Sequence, residues 1–193
     1  MASRTSPTLA TALVAAAVSL PAFLAAALPV SLPPLALSLP LTEAPWTLVT
    51  AVYVHWGPGH LAANALGVLL VGPFVARRTT PTRFHAFFLG TGILTGVAEV
   101  LAGSLTDAAV AVAGMSGAVF ALLGYLLAGN VATRAILSRV DLSPRVQFGA
   151  VLAVAVSLTL VTAGPDVALV GHATGLALGL VAGGLGLLDD RGR

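Results

Sequence analysis

The chain has 193 residues, of which 58% are apolar and only 8% are charged. Soluble domains carry about 25% charged residues, so this composition excludes an ordinary soluble globular protein and indicates an integral membrane protein. The absence of cysteine excludes disulfides and thiolate chemistry, and the formal charge of +2 is too small to indicate a nucleic-acid partner.

Six apolar stretches are each long enough to cross a bilayer as a helix, which takes about 20 residues. They lie near Leu9–Leu28, Gly57–Ala76, Phe84–Ala102, Ala108–Gly129, Val146–Ala163 and Val167–Leu188. This pattern predicts an all-α membrane protein. Because the sequence has no internal repeat, we expect residues 1–193 to form a single six-span domain.

The first span has an alternative interpretation as a cleaved signal peptide. Arg4, an apolar run and the small residues Ala25-Ala26-Ala27 are typical of such a signal. The apolar run is long, however, and the leucine-rich segment Leu28–Leu41 follows it without a polar region. We therefore favour a retained helix that is kinked at Pro21.

The arginines predict the orientation of the spans, because positive residues collect on the cytoplasmic side. With six crossings, every basic residue falls on one side of the membrane. These residues are Arg4, Arg77, Arg78, Arg83, Arg134, Arg139, Arg145, Arg191 and Arg193. The opposite side carries Glu43, Asp107 and Asp166 and no basic residue. We expect a multi-pass protein of the cell membrane with both termini in the cytoplasm.

Polar side chains cluster at one depth in the predicted spans, where such groups normally face a partner or a cavity. If the fourth span starts at Ala108, Ser116 lies eight residues in, or about 12 Å at 1.5 Å per residue. By the same rise, His172 lies about 8 Å into the sixth span, and His60 and Asn64 lie about 5 and 10 Å into the second. Three helices that enter from the same side thus bring four polar side chains to one level.

Spacing along the helices adds a second constraint. His60 and Asn64 are four residues apart and share a helix face, as do Ser116 and Phe120. Glycines recur every four residues in the sixth span, at Gly171, Gly175, Gly179 and Gly183. Such a stripe lets a neighbouring helix approach closely, although it also occurs in proteins without catalytic activity. If the neighbour is the fourth span, Ser116 comes within hydrogen-bond reach of His172.

The serine in Gly114-Met115-Ser116-Gly117 has two interpretations. It can hold helices together, or it can be a nucleophile whose proton is taken by a neutral imidazole near pH 7. The clustered histidines favour the second interpretation and predict a dyad of Ser116 and His172. The His60 side chain, the Asn64 amide and the Ser116 backbone N–H are suitable donors for an oxyanion.

No carboxylate is obviously placed to complete a triad. Glu99, near the outer end of the third span, is the one exception, and we expect it to be an interfacial acid close to solvent. A zinc site of His55, His60 and His172 is an alternative, although His55 is more readily explained as a residue that braces a loop. The chain has no His-Glu-x-x-His motif and no acid in the cluster, so we expect neither a metal nor another cofactor.

With these residues assembled, the chain resembles the rhomboid intramembrane serine proteases. The matching motifs, in order, are His60-x-x-x-Asn64, Gly114-x-Ser116-Gly117 and Gly171-His172-x-x-Gly175-x-x-x-Gly179. The resemblance implies that Ser116 is the nucleophile and His172 the base. It also implies that His60, Asn64 and the Ser116 amide stabilise the oxyanion. Supporting roles fall to Phe120, Gly114, Gly117, Gly175 and Gly179.

The resemblance further implies a substrate class and partners. The substrate is a single-span or otherwise membrane-anchored protein, cut in or near its transmembrane helix and close to the outer face of the lipid bilayer. The chain departs from common family patterns at Trp46-Thr47, where an arginine often follows the tryptophan, and at Phe120, where a tyrosine is common. It also has Ala76-Arg77 where an acidic residue is usual.

Two other classes of function compete with proteolysis. A catalytically inactive rhomboid-fold protein that binds or escorts membrane clients has no need of an intact Ser116, His172 and donor set. A small transporter with a polar midplane site often shows a repeated half, and this sequence shows none. We therefore expect an intramembrane serine endopeptidase, with the binding or escort protein as the alternative.

Overall fold

The computed structural model describes residues 6–28, 34–106, 110–129, 146 and 168–189. These ranges form six helices: α1 (Pro7–Ala27), α2 (Thr47–Tyr53), α3 (Pro58–Ala76), α4 (Pro81–Ser104), α5 (Ser116–Gly129) and α6 (Leu169–Gly184). They contain no β-strand, only an isolated antiparallel bridge between Leu37 and Val112. The predicted all-α fold is therefore confirmed for the described residues. The predicted fifth span, Val146–Ala163, lies outside them apart from its first residue.

Helix length separates the described helices into two groups. Helices α1, α3 and α4 have 21, 19 and 24 residues and are apolar enough to cross a membrane. Helix α6 has 16 residues, and α5 has 14 residues up to Gly129, where its described part ends. At 1.5 Å per residue α6 rises about 24 Å, which is less than the ~30 Å of a hydrocarbon core. The long apolar helices support an integral membrane protein, whereas six crossings and cytoplasmic termini stay predictions.

A proline starts each of the three long helices. Pro7, Pro58 and Pro81 open α1, α3 and α4, where the ring fits the helical φ and the missing N–H removes no intrahelical bond. Because α3 begins at Pro58, His60 and Asn64 both lie in its first two turns. Both residues therefore lie near the N-terminal end of α3.

Helices α5 and α6 form the closest pair in the described fold. Gly175, Gly179 and Gly183 of α6 lie directly against backbone carbonyls of α5, where an added Cβ would collide. The carbonyls are those of Gly117, Ala121 and Tyr125. The neighbour of the glycine stripe is therefore the fourth predicted span, and the two backbones touch without intervening side chains.

Helix α5 begins later than the sequence predicts, at Ser116 rather than at Ala108. The residues before it are extended, and Val112 exchanges two backbone hydrogen bonds of 2.8 Å with Leu37. Gly114 then adopts φ 115°, a value that a right-handed helix does not allow. The depth of about 12 Å estimated for Ser116 from a helix start at Ala108 is therefore wrong.

The far ends of α5 and α6 are joined by polar contacts. The Tyr125 hydroxyl donates to Asp189 Oδ1 at 2.8 Å, and the Leu188 N–H donates to the Tyr125 oxygen at 3.3 Å. These contacts require a turn at Gly186, which has φ 62°. Helix α6 consequently ends at Gly184, four residues before the predicted end of the sixth span.

The loop between α1 and α3 contains α2, which packs against α4. Trp46 Nε1 donates to the Pro34 carbonyl at 2.8 Å, and Thr50 Oγ1 donates to the Leu35 carbonyl at 2.9 Å. Thr47, the residue in the position where an arginine is common, turns its hydroxyl back to a carbonyl of its own turn. Side-chain bonds to backbone carbonyls therefore brace this loop without an arginine.

Candidate active site

Ser116 is the first residue of α5, immediately after an extended segment and a sharp turn. The turn is held by Gly114, whose N–H donates to the Ala51 carbonyl at 2.8 Å. Only glycine readily adopts the positive φ found there. The first N–H groups of a helix have no partner within the helix, and they carry the positive end of its dipole. The backbone N–H of Ser116 is therefore suited to donate a hydrogen bond to a negative charge that develops nearby.

The hydroxyl of Ser116 lies 2.8 Å from Nε2 of His172, a residue in the first turn of α6. The glycine contacts between α5 and α6 make this distance possible, because they set two helices backbone to backbone. For the serine to donate this bond, Nε2 must be unprotonated and Nδ1 must carry the hydrogen. His172 is buried, and its Nδ1 has no hydrogen-bond partner among the described residues.

Phe120 packs its ring against the imidazole of His172. The two ring centroids are 4.4 Å apart, and the planes are inclined by 18°. Since the stack covers one face of the imidazole, rotation of His172 away from Ser116 would break it. The ring is thus placed as expected from the four-residue spacing between Ser116 and Phe120.

His60 reaches the site from α3, and Asn64 lies on the same helix. The His60 ring lies so close to Gly114 that an added Cβ would stand 2.7 Å from its Cε1 atom. Asn64 is 8% exposed, and its Nδ2 donates to the His60 carbonyl at 3.0 Å. An amide nitrogen carries two hydrogens, so this bond orients the Asn64 amide and commits one of them. His60 thus contacts the turn that presents Ser116, and Asn64 stands one helical turn further along α3.

His55 contacts the same group of residues from the loop before α3. His55 is only 2% exposed, and its Nδ1 donates to the Tyr53 carbonyl at 2.9 Å. The same Nδ1 lies 3.2 Å from Ser19 Oγ. The His55 ring packs edge to face against the ring of His60, with centroids 5.0 Å apart. Burial and, to a smaller extent, electrostatic repulsion from His60 lower the pKa of His55 to about 4. His55 is therefore neutral at pH 7 and bonds as an uncharged imidazole.

Ser19 was not among the residues singled out from the sequence. It is a fully buried serine of α1, and it also donates to the Tyr53 carbonyl at 3.1 Å. As one of the few polar residues in a predicted span, it carried a signal that could have indicated it. Through Ser19 and His55, the first helix is connected to the His60 side of the site.

Glu99 is half-buried and makes a contact that the sequence did not indicate. From α4 it accepts a hydrogen bond of 2.6 Å from the backbone N–H of Gly171, the residue before His172.

The described residues contain no group of three side chains arranged to hold a metal ion. What the structure brings together is a serine, a histidine and backbone donors, which is a set suited to acyl transfer.

A cavity of about 30 Å³ opens beside the serine–histidine pair. Its lining includes Ser116, His172, Thr95, Gly171 and Ala168. A single water needs about 10–15 Å³ measured in the same way, so the cavity has room for water next to the hydroxyl. Thr95, which sequence analysis did not single out, contributes a buried hydroxyl at this wall.

Comparison with known proteins identifies a family that this chain matches. Residues 42–188 match the Rhomboid domain. Rhomboid protease GluP of Bacillus subtilis (strain 168) is 37% identical over 82 residues, which cover 42% of this chain and 15% of GluP. Putative rhomboid protease YdcA of the same organism is 32% identical over 82 residues, which cover 42% of this chain and 40% of YdcA. The match therefore spans less than half the length of either relative.

Proposed function

Since the chain belongs to the rhomboid family, whose domain it matches over residues 42–188, we propose that it is an intramembrane serine endopeptidase. Ser116 is the nucleophile and His172 the general base. The observation that carries this proposal is the 2.8 Å contact between Ser116 Oγ and His172 Nε2, made across two helices. A serine hydroxyl is a weak nucleophile until an adjacent base takes its proton, and this contact supplies the base.

This geometry supports a first, acylation step. Ser116 Oγ attacks the carbonyl carbon of the scissile peptide while His172 Nε2 takes the hydroxyl proton. The same imidazolium then gives that proton to the leaving amine, and an acyl-enzyme ester on Ser116 remains. Phe120 supports both transfers because its stacked ring keeps the imidazole plane in one orientation.

The negative charge of the tetrahedral intermediate needs donors that are in place before the reaction. We assign this role to the Ser116 N–H, the His60 side chain and the Asn64 amide. The helix start at Ser116, the contact of His60 with Gly114 and the fixed orientation of the Asn64 amide support the assignment.

Deacylation needs a water beside the ester, and the cavity that borders Ser116 and His172 has room for one. His172 takes a proton from this water as the hydroxide equivalent attacks the ester carbon. The proton then returns to Ser116 Oγ, and the new carboxyl terminus is released.

The proposed substrates are single-span or otherwise membrane-anchored proteins, cut in or near the transmembrane helix and close to the outer face. We place the protein in the cell membrane with six spans and both termini in the cytoplasm. The arginine distribution supports this orientation, because it puts the His60 end of α3 on the outer side.

Incubation of the purified protein with a model single-span substrate tests the proposal. Wild type should cleave it, and Ser116→Ala should not. A fluorophosphonate should label Ser116, and His172→Ala should remain folded but lose labelling. If the wild-type protein binds the substrate without cleaving it, the binding or escort function replaces the protease.

A further inference from the structure

Helix α6 begins without a cap of its own. Its N-cap residue is Ala168, which has no side-chain oxygen to accept a bond from the first turn. The first helical bond in this turn runs from the His172 N–H to the Ala168 carbonyl at 2.9 Å. The Gly171 N–H therefore needs an acceptor from elsewhere, as do all N–H groups of a first helical turn.

Glu99 of α4 supplies that acceptor. Its Oε2 accepts a hydrogen bond from the Gly171 nitrogen at 2.6 Å. Gly171 lies close to α4 at this point, since an added Cβ would stand 3.3 Å from the Thr95 carbonyl oxygen and 3.4 Å from Glu99 Oε2.

We propose that Glu99 is a positioning residue for His172, which it holds in place by capping the first turn of α6 from α4. This inference rests on the proposed function, since it concerns the base of that reaction. Glu99 bonds the backbone beside His172, and the imidazole Nδ1 has no partner among the described residues, so Glu99 is not a third member of a triad. Its effect passes through the helix that carries the imidazole.

The consequence is a rate effect. His172 lies in the turn that Glu99 caps, and its contact with Ser116 tolerates little displacement. A shift of about 1 Å in a reacting group can lower the rate by about 10²-fold. Loss of the cap should therefore lower kcat by about 10- to 100-fold. KM should change little, because the Glu99 carboxyl group is bonded to the backbone of α6.

Three variants test the proposal in the full-length protein. Glu99→Leu removes the acceptor, whereas Glu99→Gln keeps an oxygen that can accept the Gly171 N–H. Glu43→Leu removes an exposed acid from the outer loop and controls for the change in charge. We expect near wild-type kcat for Glu99→Gln and Glu43→Leu and the predicted loss for Glu99→Leu. Ser116 in Glu99→Leu should be labelled by a fluorophosphonate more slowly but to the same final extent, which separates displacement of the base from loss of folded protein.

Hydrogen exchange gives a readout that does not need catalysis. The amides of residues 168–172 should exchange faster in Glu99→Leu than in wild type. In Glu99→Gln their exchange rates should equal those of wild type. Wild-type turnover and exchange in Glu99→Leu would overturn the proposal, as would equal losses in both Glu99 variants. If the wild-type enzyme cleaves nothing while exchange follows this pattern, the cap is supported and the proposed function fails instead.

Discussion

Phe120 and His172 form a parallel ring stack with centroids 4.4 Å apart. Because the stack restrains the imidazole, Phe120→Ala should lower turnover, whereas Phe120→Tyr keeps the ring and should change it little. Phe120 is half-buried, so the loss of stability in Phe120→Ala should stay below the ~3–5 kcal/mol of a fully buried phenylalanine. Steady-state kinetics and thermal unfolding measure the two effects, and normal turnover in Phe120→Ala would show that the ring does not hold His172.

Removal of an oxyanion donor should act on kcat more than on KM, because the donor matters mainly where charge develops. Asn64→Ala and His60→Ala should each lose about 10²- to 10³-fold in kcat. Both variants should stay folded and remain faster than Ser116→Ala. Leu66→Ala, on an exposed face of α3, is the control and should cleave at the wild-type rate. Asn64→Ala with full activity would remove Asn64 from the oxyanion site.

The contact between α5 and α6 leaves no room for a methyl group at Gly179. Its substitution by alanine should push the Ala121 carbonyl away, so stability should fall by about 1–3 kcal/mol or more. The shift should also lengthen the distance from Ser116 to His172 and lower activity. Gly90 of α4 has open space around its Cα, so Gly90→Ala should be neutral or stabilising by up to about 1 kcal/mol. Equal stability of the two variants in thermal unfolding would contradict the packing described here.

Single cysteines test the predicted orientation, since the chain has none of its own. A cysteine at the exposed Glu43 should react with a membrane-impermeant reagent in intact cells. One at the exposed Thr82, beside the arginines between α3 and α4, should react only after permeabilisation. The reverse pattern would show that the protein has the opposite orientation in the membrane. Labelling of both sites in intact cells would rule out a crossing by α3.

The sequence predicted those parts of the site that depend on spacing within one helix. Four-residue intervals paired Ser116 with Phe120, and the glycine stripe indicated a close neighbour for α6. The start of α5 was not predictable in this way, because the apolar run Ala108–Ala113 is compatible with a helix and with an extended segment. What decides it is the pairing of Val112 with Leu37, a contact between distant parts of the chain.

Glu99 illustrates the same limit. It lies 72 residues from Gly171 in the sequence. Its position near the end of a span is typical of an acid at the membrane surface. Only the packing of α4 against α6 brings its carboxylate to the helix that carries His172. Ser19 and His55 likewise meet because α1 packs beside the loop before α3.

The backbone contact between α5 and α6 also bears on how a substrate could reach the site. Gly175, Gly179 and Gly183 leave no side chains between the two helices that could change rotamer, and the bond from Tyr125 to Asp189 ties their far ends together. We therefore expect Ser116 and His172 to keep their separation when other segments of the protein move. If the proposed function holds, a substrate could then be admitted without breaking the contact between these two residues.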